Sequence, residues 1–273
     1  MTTLIGCDFS SAPSRRKPIV IATGSCRHGR VQLSKLEHIE TLSAYDSWVR
    51  RPGSWVGAFD FPFGLPRELV EHLGWPTSWA ALMAHYSAMT RAEIRTTFSA
   101  FCGARPAGGK FAHRRTDVPA GASTSMKWVN PPVAFMLHAG VPPLIAAGAH
   151  FPGLHEGDRL RIALEGYPGL LAREVLGNRS YKSDDRSKQT AERLIARKDL
   201  VTALEMGRTR LALRLKLSHA QRDALVDDGK GDRLDAVLCL MQAAWALARH
   251  EEGVADYGLP QGLDALEGWI ITA

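Results

Sequence analysis

Three apolar runs in this chain each stop at an acid. Residues 2–7 (Thr-Thr-Leu-Ile-Gly-Cys) lead to Asp8, residues 55–59 (Trp-Val-Gly-Ala-Phe) to Asp60, and residues 160–164 (Leu-Arg-Ile-Ala-Leu) to Glu165. Short runs of this kind, followed by Gly, Pro or Ser, predict strands. Acids at the carboxyl ends of neighbouring strands converge on one edge of a sheet, where open α/β sheets place their ligands. The pattern therefore predicts an α/β chain with its chemistry at a sheet edge.

The intervening segments extend that reading. Residues 18–23 predict a second strand, and the alternation at 31–34 a half-exposed third. Connections this short suit an antiparallel meander. A helix is expected over 41–50. Pro66 suits the first position of another that runs through Glu71. Residues 75–157 hold three Trp, many Ala and two Pro-Pro pairs. They predict a largely helical insertion between strands four and five, packed on the core. Helices are expected from Pro168, over 187–204, and from near His219, where Ser218 and Gln221 have capping-box spacing. The last helix is expected from Asp232 to about His250, burying Leu234, Val237, Leu238, Met241 and Trp245 along one stripe. Residues 269–271 suggest a final short strand. A length of 273 residues fits one large domain over 1–273.

Composition narrows the class. With 45% hydrophobic and 23% charged residues, disorder, collagen and coiled coil are excluded. No apolar run approaches the roughly 18 residues of a membrane span, and no basic segment precedes an apolar one at the start, so no signal peptide is expected. The four cysteines are scattered without zinc spacing. Reduced thiols in a cytoplasmic location are the expectation, with Cys7 and Cys239 in the core. A net charge of +6 suits a polyanionic partner and equally a solvated mixed surface.

Asp232 and Asp235 add two acids to one face at the start of the last helix. Converging carboxylates repel one another until a cation or a proton neutralises them. Their hard oxygens favour Mg²⁺ or Mn²⁺, and two such ions about 4 Å apart support in-line phosphoryl chemistry. Each acid taken singly also suits a turn or a helix cap, and Asp232 suits the N-cap of its helix. The insertion clusters Lys110, His113, Arg114, Arg115 and Asp117. Arg114, Arg115, Lys127 and Lys182 are candidates to hold substrate phosphates, the alternative being a solvated loop with ion pairs. Trp128 suits base stacking, although a loop anchor is the commoner use of such a residue. No Gly-x-Ser-x-Gly elbow or His-Glu-x-x-His is present, and the Gly-rich 103–110 lacks the Ser or Thr of a phosphate loop.

Four motifs occur in order: Gly6-Cys7-Asp8-Phe9-Ser10, residues 57–66 (Gly-Ala-Phe-Asp-Phe-Pro-Phe-Gly-Leu-Pro), Glu165-Gly166-Tyr167-Pro168, and Gly231-Asp232-Arg233-Leu234-Asp235-Ala236. Together with Gly258-Leu259-Pro260 and Glu267-Gly268-Trp269-Ile270, they resemble the domain-of-unknown-function 429 family, described as predicted RNase H-like nucleases. The Asp-x-x-Asp-Ala step is also similar to the last acidic helix of RuvC-type resolvases. The resemblance implies an RNase H-like fold, a five-stranded mixed sheet flanked by helices. It implies a nuclease hydrolysing phosphodiester bonds through Mg²⁺ or Mn²⁺ held by Asp8, Asp60 and Asp235, with Asp232 and Glu165 completing the catalytic set. Nucleic acid, DNA or RNA, is then the partner, with no membrane and the oligomeric state open. Two other readings stand beside it. One is a nucleotide-binding phosphotransfer protein on the related actin-like ATPase topology, since Asp8-Phe9-Ser10-Ser11 loosely resembles the first phosphate loop of those enzymes. The other is a non-catalytic module that binds nucleic acid or a protein partner.

Overall fold

β1 (Thr3–Asp8), β2 (Ile19–Arg27) and β3 (Arg30–Ile39) form an antiparallel meander. The computed structural model describes residues 2–273. His28 and Gly29 join β2 to β3 with φ of 48° and 69°, the doubly left-handed turn whose twist matches a hairpin. β4 (Trp55–Phe59) then runs parallel to β1, and β6 (Asp158–Glu165) parallel to β4. The result is a mixed α/β sheet in the order β5-β6-β4-β1-β2-β3-β7.

Among the described residues, the expected five strands are thus seven. The additional ones are edge strands, β5 (Ala149–His150) and β7 (Arg214–Lys216), of two and three residues. Neither is long enough to show an alternation in sequence. β5 also lies within 75–157, so that segment extends the sheet edge as well as supplying helices. The expected strand at 269–271 is only a bridge between Ile270 and Glu165.

Among the described residues, ten α-helices cover the two faces. Ile5 and Cys7 of β1 look into a core built with α1 (Leu42–Val49), α2 (Arg67–His72), α3 (Trp79–Ala88), α4 (Arg91–Gly103) and α6 (Val133–Ala146). Leu4 looks the other way, into a core shared with α7 (Pro168–Leu176), α8 (Ala191–Met206), α9 (His219–Val226) and α10 (Asp232–Glu251). α5 (Asp117–Ala120) is a single turn beside the site. The capping box at Ser218 and Gln221 is formed as expected. The helix expected from residue 187 starts at Ala191, after Thr190. Cys7 and Cys239 are buried as thiols. No helix among the described residues is long and apolar enough to cross a membrane.

The contact that positions the site is between β1 and α10. A Cβ on Gly6 would lie 2.0 Å from the Ala236 carbonyl oxygen and 2.2 Å from the Leu240 nitrogen. The helix backbone therefore rests directly on the strand, and only glycine permits it. Gly6→Ala should force α10 off the sheet at a cost of about 3 kcal/mol, a drop in Tm of roughly 10 °C. A melt within 2 °C of the wild type would show that the contact yields easily.

Candidate carboxylate site

Strand parity aims the first two acids. In the β1–β4 register Cys7 lies opposite Phe59, and the Asp60 N–H donates to the Cys7 carbonyl at 2.9 Å. Asp8 and Asp60 are therefore side by side, one residue past those partners, on strands about 4.8 Å apart. Both continue the parity of Leu4, Gly6 and Ala58, the face that α10 covers. α10 opens at Gly231, whose φ of 78° is left-handed and whose missing Cβ leaves room for Lys182, 2.8 Å from where it would stand. Gly231, not Asp232, is the N-cap. Asp232 and Asp235 occupy the first turn, where the helix dipole favours negative charge. Four carboxylates from three elements thus meet at one sheet edge.

Two ammonium groups face them, Lys182 bonded to Asp235 and Lys17 within reach of the charges of Asp232 and Asp8. The fully buried Asp235 accepts hydrogen bonds from the Tyr181 hydroxyl and from Lys182 Nζ. Asp8 and Asp60 receive no side-chain hydrogen bond from any described residue. Burial, then repulsion from Asp235, holds Asp8 well above the usual carboxylate range, with Lys182 opposing. The same order of causes raises Asp60 to about 7. Asp232 is raised to about 6 by burial, against the pull of Lys17. Burial disfavours the Lys182 ammonium, but Asp235, Tyr181 and Asp8 together keep it firmly charged.

These shifts have a definite sign in stability. Near pH 4 and below, Asp60 is protonated in the folded chain and increasingly so in the unfolded one, and the repulsion is absent. Between pH 4 and 7 the folded state holds protons that the unfolded state has released, so this contribution to stability is lost as pH rises through the folded value of about 7. Asp60→Asn should come closest to wild-type Tm at pH 4 or below and exceed it by roughly 5 °C at pH 8 in metal-free buffer. Equal melts at pH 8 would mean that Asp60 is not under repulsion.

Glu165 departs from the expectation. It lies opposite Phe59 in the β4–β6 register, one residue out of step with Asp60, yet the two acids line one pocket and Glu165 adds to the repulsion that raises Asp60. Glu165 meets Arg114, which is 2% exposed. Arg114 donates to both Glu165 oxygens at 2.8 and 2.7 Å, to Asp117 at 3.1 and 2.9 Å, and to the Glu267 carbonyl at 2.9 Å. The Phe63 N–H adds a bond to Glu165 at 2.9 Å. Glu165 is neutralised by a guanidinium, and every nitrogen of Arg114 is engaged, so neither is placed for the catalytic or phosphate-holding role that the sequence suggested. Arg115 is exposed beside the C-terminal segment, its N–H on Glu267 at 2.8 Å. Lys127 sits in the turn before α6, its carbonyl taken by the Ala134 N–H at 2.8 Å. Of the four basic candidates, only Lys182 reaches the acid cluster. Trp128 packs on Phe111 with ring centres 5.8 Å apart, as a loop anchor does.

Around the acids runs a cleft of about 580 Å³ whose walls include Asp8, Asp60, Asp232, Lys17 and Lys182. It shares Asp232 and Lys230 with a groove of about 600 Å³ of mixed charge, lined by Arg15, Arg16, Arg186 and Arg233 and by the acids Glu40, Asp227 and Asp228. No described acid pairs with Arg15, Arg16 or Arg186. Sequence reasoning missed this groove, Lys17 and Tyr181. The Arg15-Arg16-Lys17 run was the available signal.

Among the described residues, no three His, Cys, Asp or Glu are arranged as a ready-made ligand set. The donors nevertheless suit a hard divalent cation: all are carboxylate oxygens, three of the four (Asp8, Asp60 and Asp232) accept no hydrogen bond from a described residue, and the Lys182 ammonium stands where positive charge is needed. Comparison with protein-family models, curated proteins and solved structures returns no match to the chain.

Proposed function

We propose that the chain is a divalent-metal-dependent nuclease of RNase H-like fold, hydrolysing phosphodiester bonds with Mg²⁺ or Mn²⁺ held by Asp8, Asp60 and Asp235. The observation that carries this reading is the gathering of four carboxylates from β1, the end of β4 and α10 around the Lys182 ammonium, with Lys17 near Asp232. The central strands β3-β2-β1-β4-β6, of which β2 alone runs antiparallel to its neighbours, support the fold assignment, as do the four motifs.

A bound divalent ion would polarise the phosphate and lower the pKa of water. The chain's residues do the rest. Asp8, Asp60 and Asp235 supply the hard oxygens. Asp232, one helical turn from Asp235 and partly charged near pH 6, orients the attacking water and takes its proton. Lys182, 42% exposed on a flexible stem, leaves Asp235 and turns to a phosphate oxygen. Arg15, Arg16 and Arg186 hold the strand's phosphates along the groove.

The test is incubation with single- and double-stranded DNA and RNA under Mg²⁺, Mn²⁺ or chelator. Cleavage that needs the metal and weakens steeply with salt is expected. No cleavage of any of the four substrates with either metal would reject the reading.

A further inference from the structure

The acid cleft differs at its two ends. Towards Asp232 and Lys230 it continues into the arginine-lined groove of mixed charge. At the other end it shares Asp60, Pro131, Met136 and Lys182 with a pocket of about 220 Å³. The walls of that pocket are mainly apolar: Phe61, Pro62, Val133, Met136, Tyr167 and Ile270. Of its charged lining, Arg114 and Glu165 are bonded to each other and Lys182 to Asp235, while Asp60 stands at the mouth shared with the cleft. The Ser123 hydroxyl also lines it and makes no hydrogen bond with a described residue. A phosphate finds no free cation inside beyond Lys182 at the shared mouth. A flat apolar ring with polar edges does suit it. A cavity of about 150 Å³ admits a benzene-sized ring, so 220 Å³ holds one nucleobase and excludes a base pair.

We propose that this pocket is a single-nucleobase subsite, taking the unpaired base of the nucleotide next to the scissile phosphate while the rest of the strand lies in the arginine-lined groove. The proposal rests on the nuclease reading for the position of that phosphate, and it names the substrate: a single strand, or a strand whose base has left the stack. The pocket abuts the acids through Asp60 and Lys182, so a base seated there places its own phosphate at the carboxylates.

Two measurements test it. In the first, a nucleoside 5′-monophosphate and ribose 5-phosphate are titrated into the protein with Mn²⁺ present. The nucleotide should bind at least about tenfold tighter, and Val133→Trp or Ser123→Trp, each checked as folded by circular dichroism, should erase the difference by filling the pocket. Equal affinities, no nucleotide binding at millimolar concentration, or a difference that survives in both variants would overturn the proposal. In the second, one abasic position is moved along an oligonucleotide. Cleavage should fall about tenfold at the abasic nucleotide and stay unchanged at more distant phosphates. Cleavage indifferent to the missing base would overturn the subsite while leaving the nuclease reading intact. Base-dependent binding with no cleavage under any metal would do the reverse.

Discussion

Asp8→Asn should raise the melting temperature of the metal-free protein by roughly 5 °C and lower metal-dependent cleavage at least about a hundredfold. The two effects have one cause. Asp8 is buried, accepts no side-chain hydrogen bond from a described residue, and faces Asp235, Asp232 and Asp60. Asparagine keeps its shape and removes the negative charge, so the folded state loses repulsion and no bond. The same charge is what a divalent ion needs, so metal affinity falls with it. A site held in a repulsive arrangement for its chemistry shows this opposition of stability and activity. Asp46→Asn, which removes only the exposed pair with Arg50 on α1, should change neither. Calorimetry with Mn²⁺, thermal melts and a cleavage assay on the three proteins decide the matter. Retained cleavage would remove Asp8 from the metal site. A lower melting temperature would mean that its charge serves the fold.

What was legible in the sequence follows from what is local. The acid-ended runs became β1, β4 followed at once by Asp60, and β6, because each strand and its terminating residue lie within a few positions of one another. The start of α10 and the Ser218 capping box were legible for the same reason. Glu165 was read with the other strand-end acids, but its partners depend on register. It pairs with Phe59 rather than lying level with Asp60, and a shift of one residue changes the side chains it meets. Arg114 reads as a loop cation in a Gly-rich stretch. Its burial depends on Asp117, Glu165 and the Glu267 carbonyl, up to 153 residues away. The edge strands were hidden by their brevity. The arginine-lined groove was hidden because Arg15, Arg186 and Arg233 come from separate segments.

Arg114→Met should be among the most damaging single substitutions in the chain, and the damage should be to folding, not to substrate affinity. The guanidinium is 2% exposed and neutralises Asp117 and Glu165, which are 1% and 3% exposed. It also ties the loop before α5 to the end of β6 and to the C-terminal segment through the Glu267 carbonyl. Removing one partner of such a buried group leaves carboxylates without compensation, at a cost of about 3–5 kcal/mol, or a fall in Tm of roughly 10 °C or more. Arg114→Lys keeps the charge but not the planar fork, so it should recover only part of the loss. Adding Glu165→Gln to Arg114→Met should restore some stability, because the second change removes a charge that the first left stranded. The pair should therefore be non-additive by more than about 1 kcal/mol in a double-mutant cycle. A phosphate-holding arginine would behave differently: Arg114→Met would melt like the wild type, additively with Glu165→Gln, and would raise KM alone. Because Arg114 bonds Asp117, Glu165 and the Glu267 carbonyl and none of the four clustered acids, the fraction of Arg114→Lys that folds should bind Mn²⁺ within about threefold of wild type, a difference of about 0.7 kcal/mol. A large loss of metal affinity in folded Arg114→Lys would mean that the two clusters act as one site.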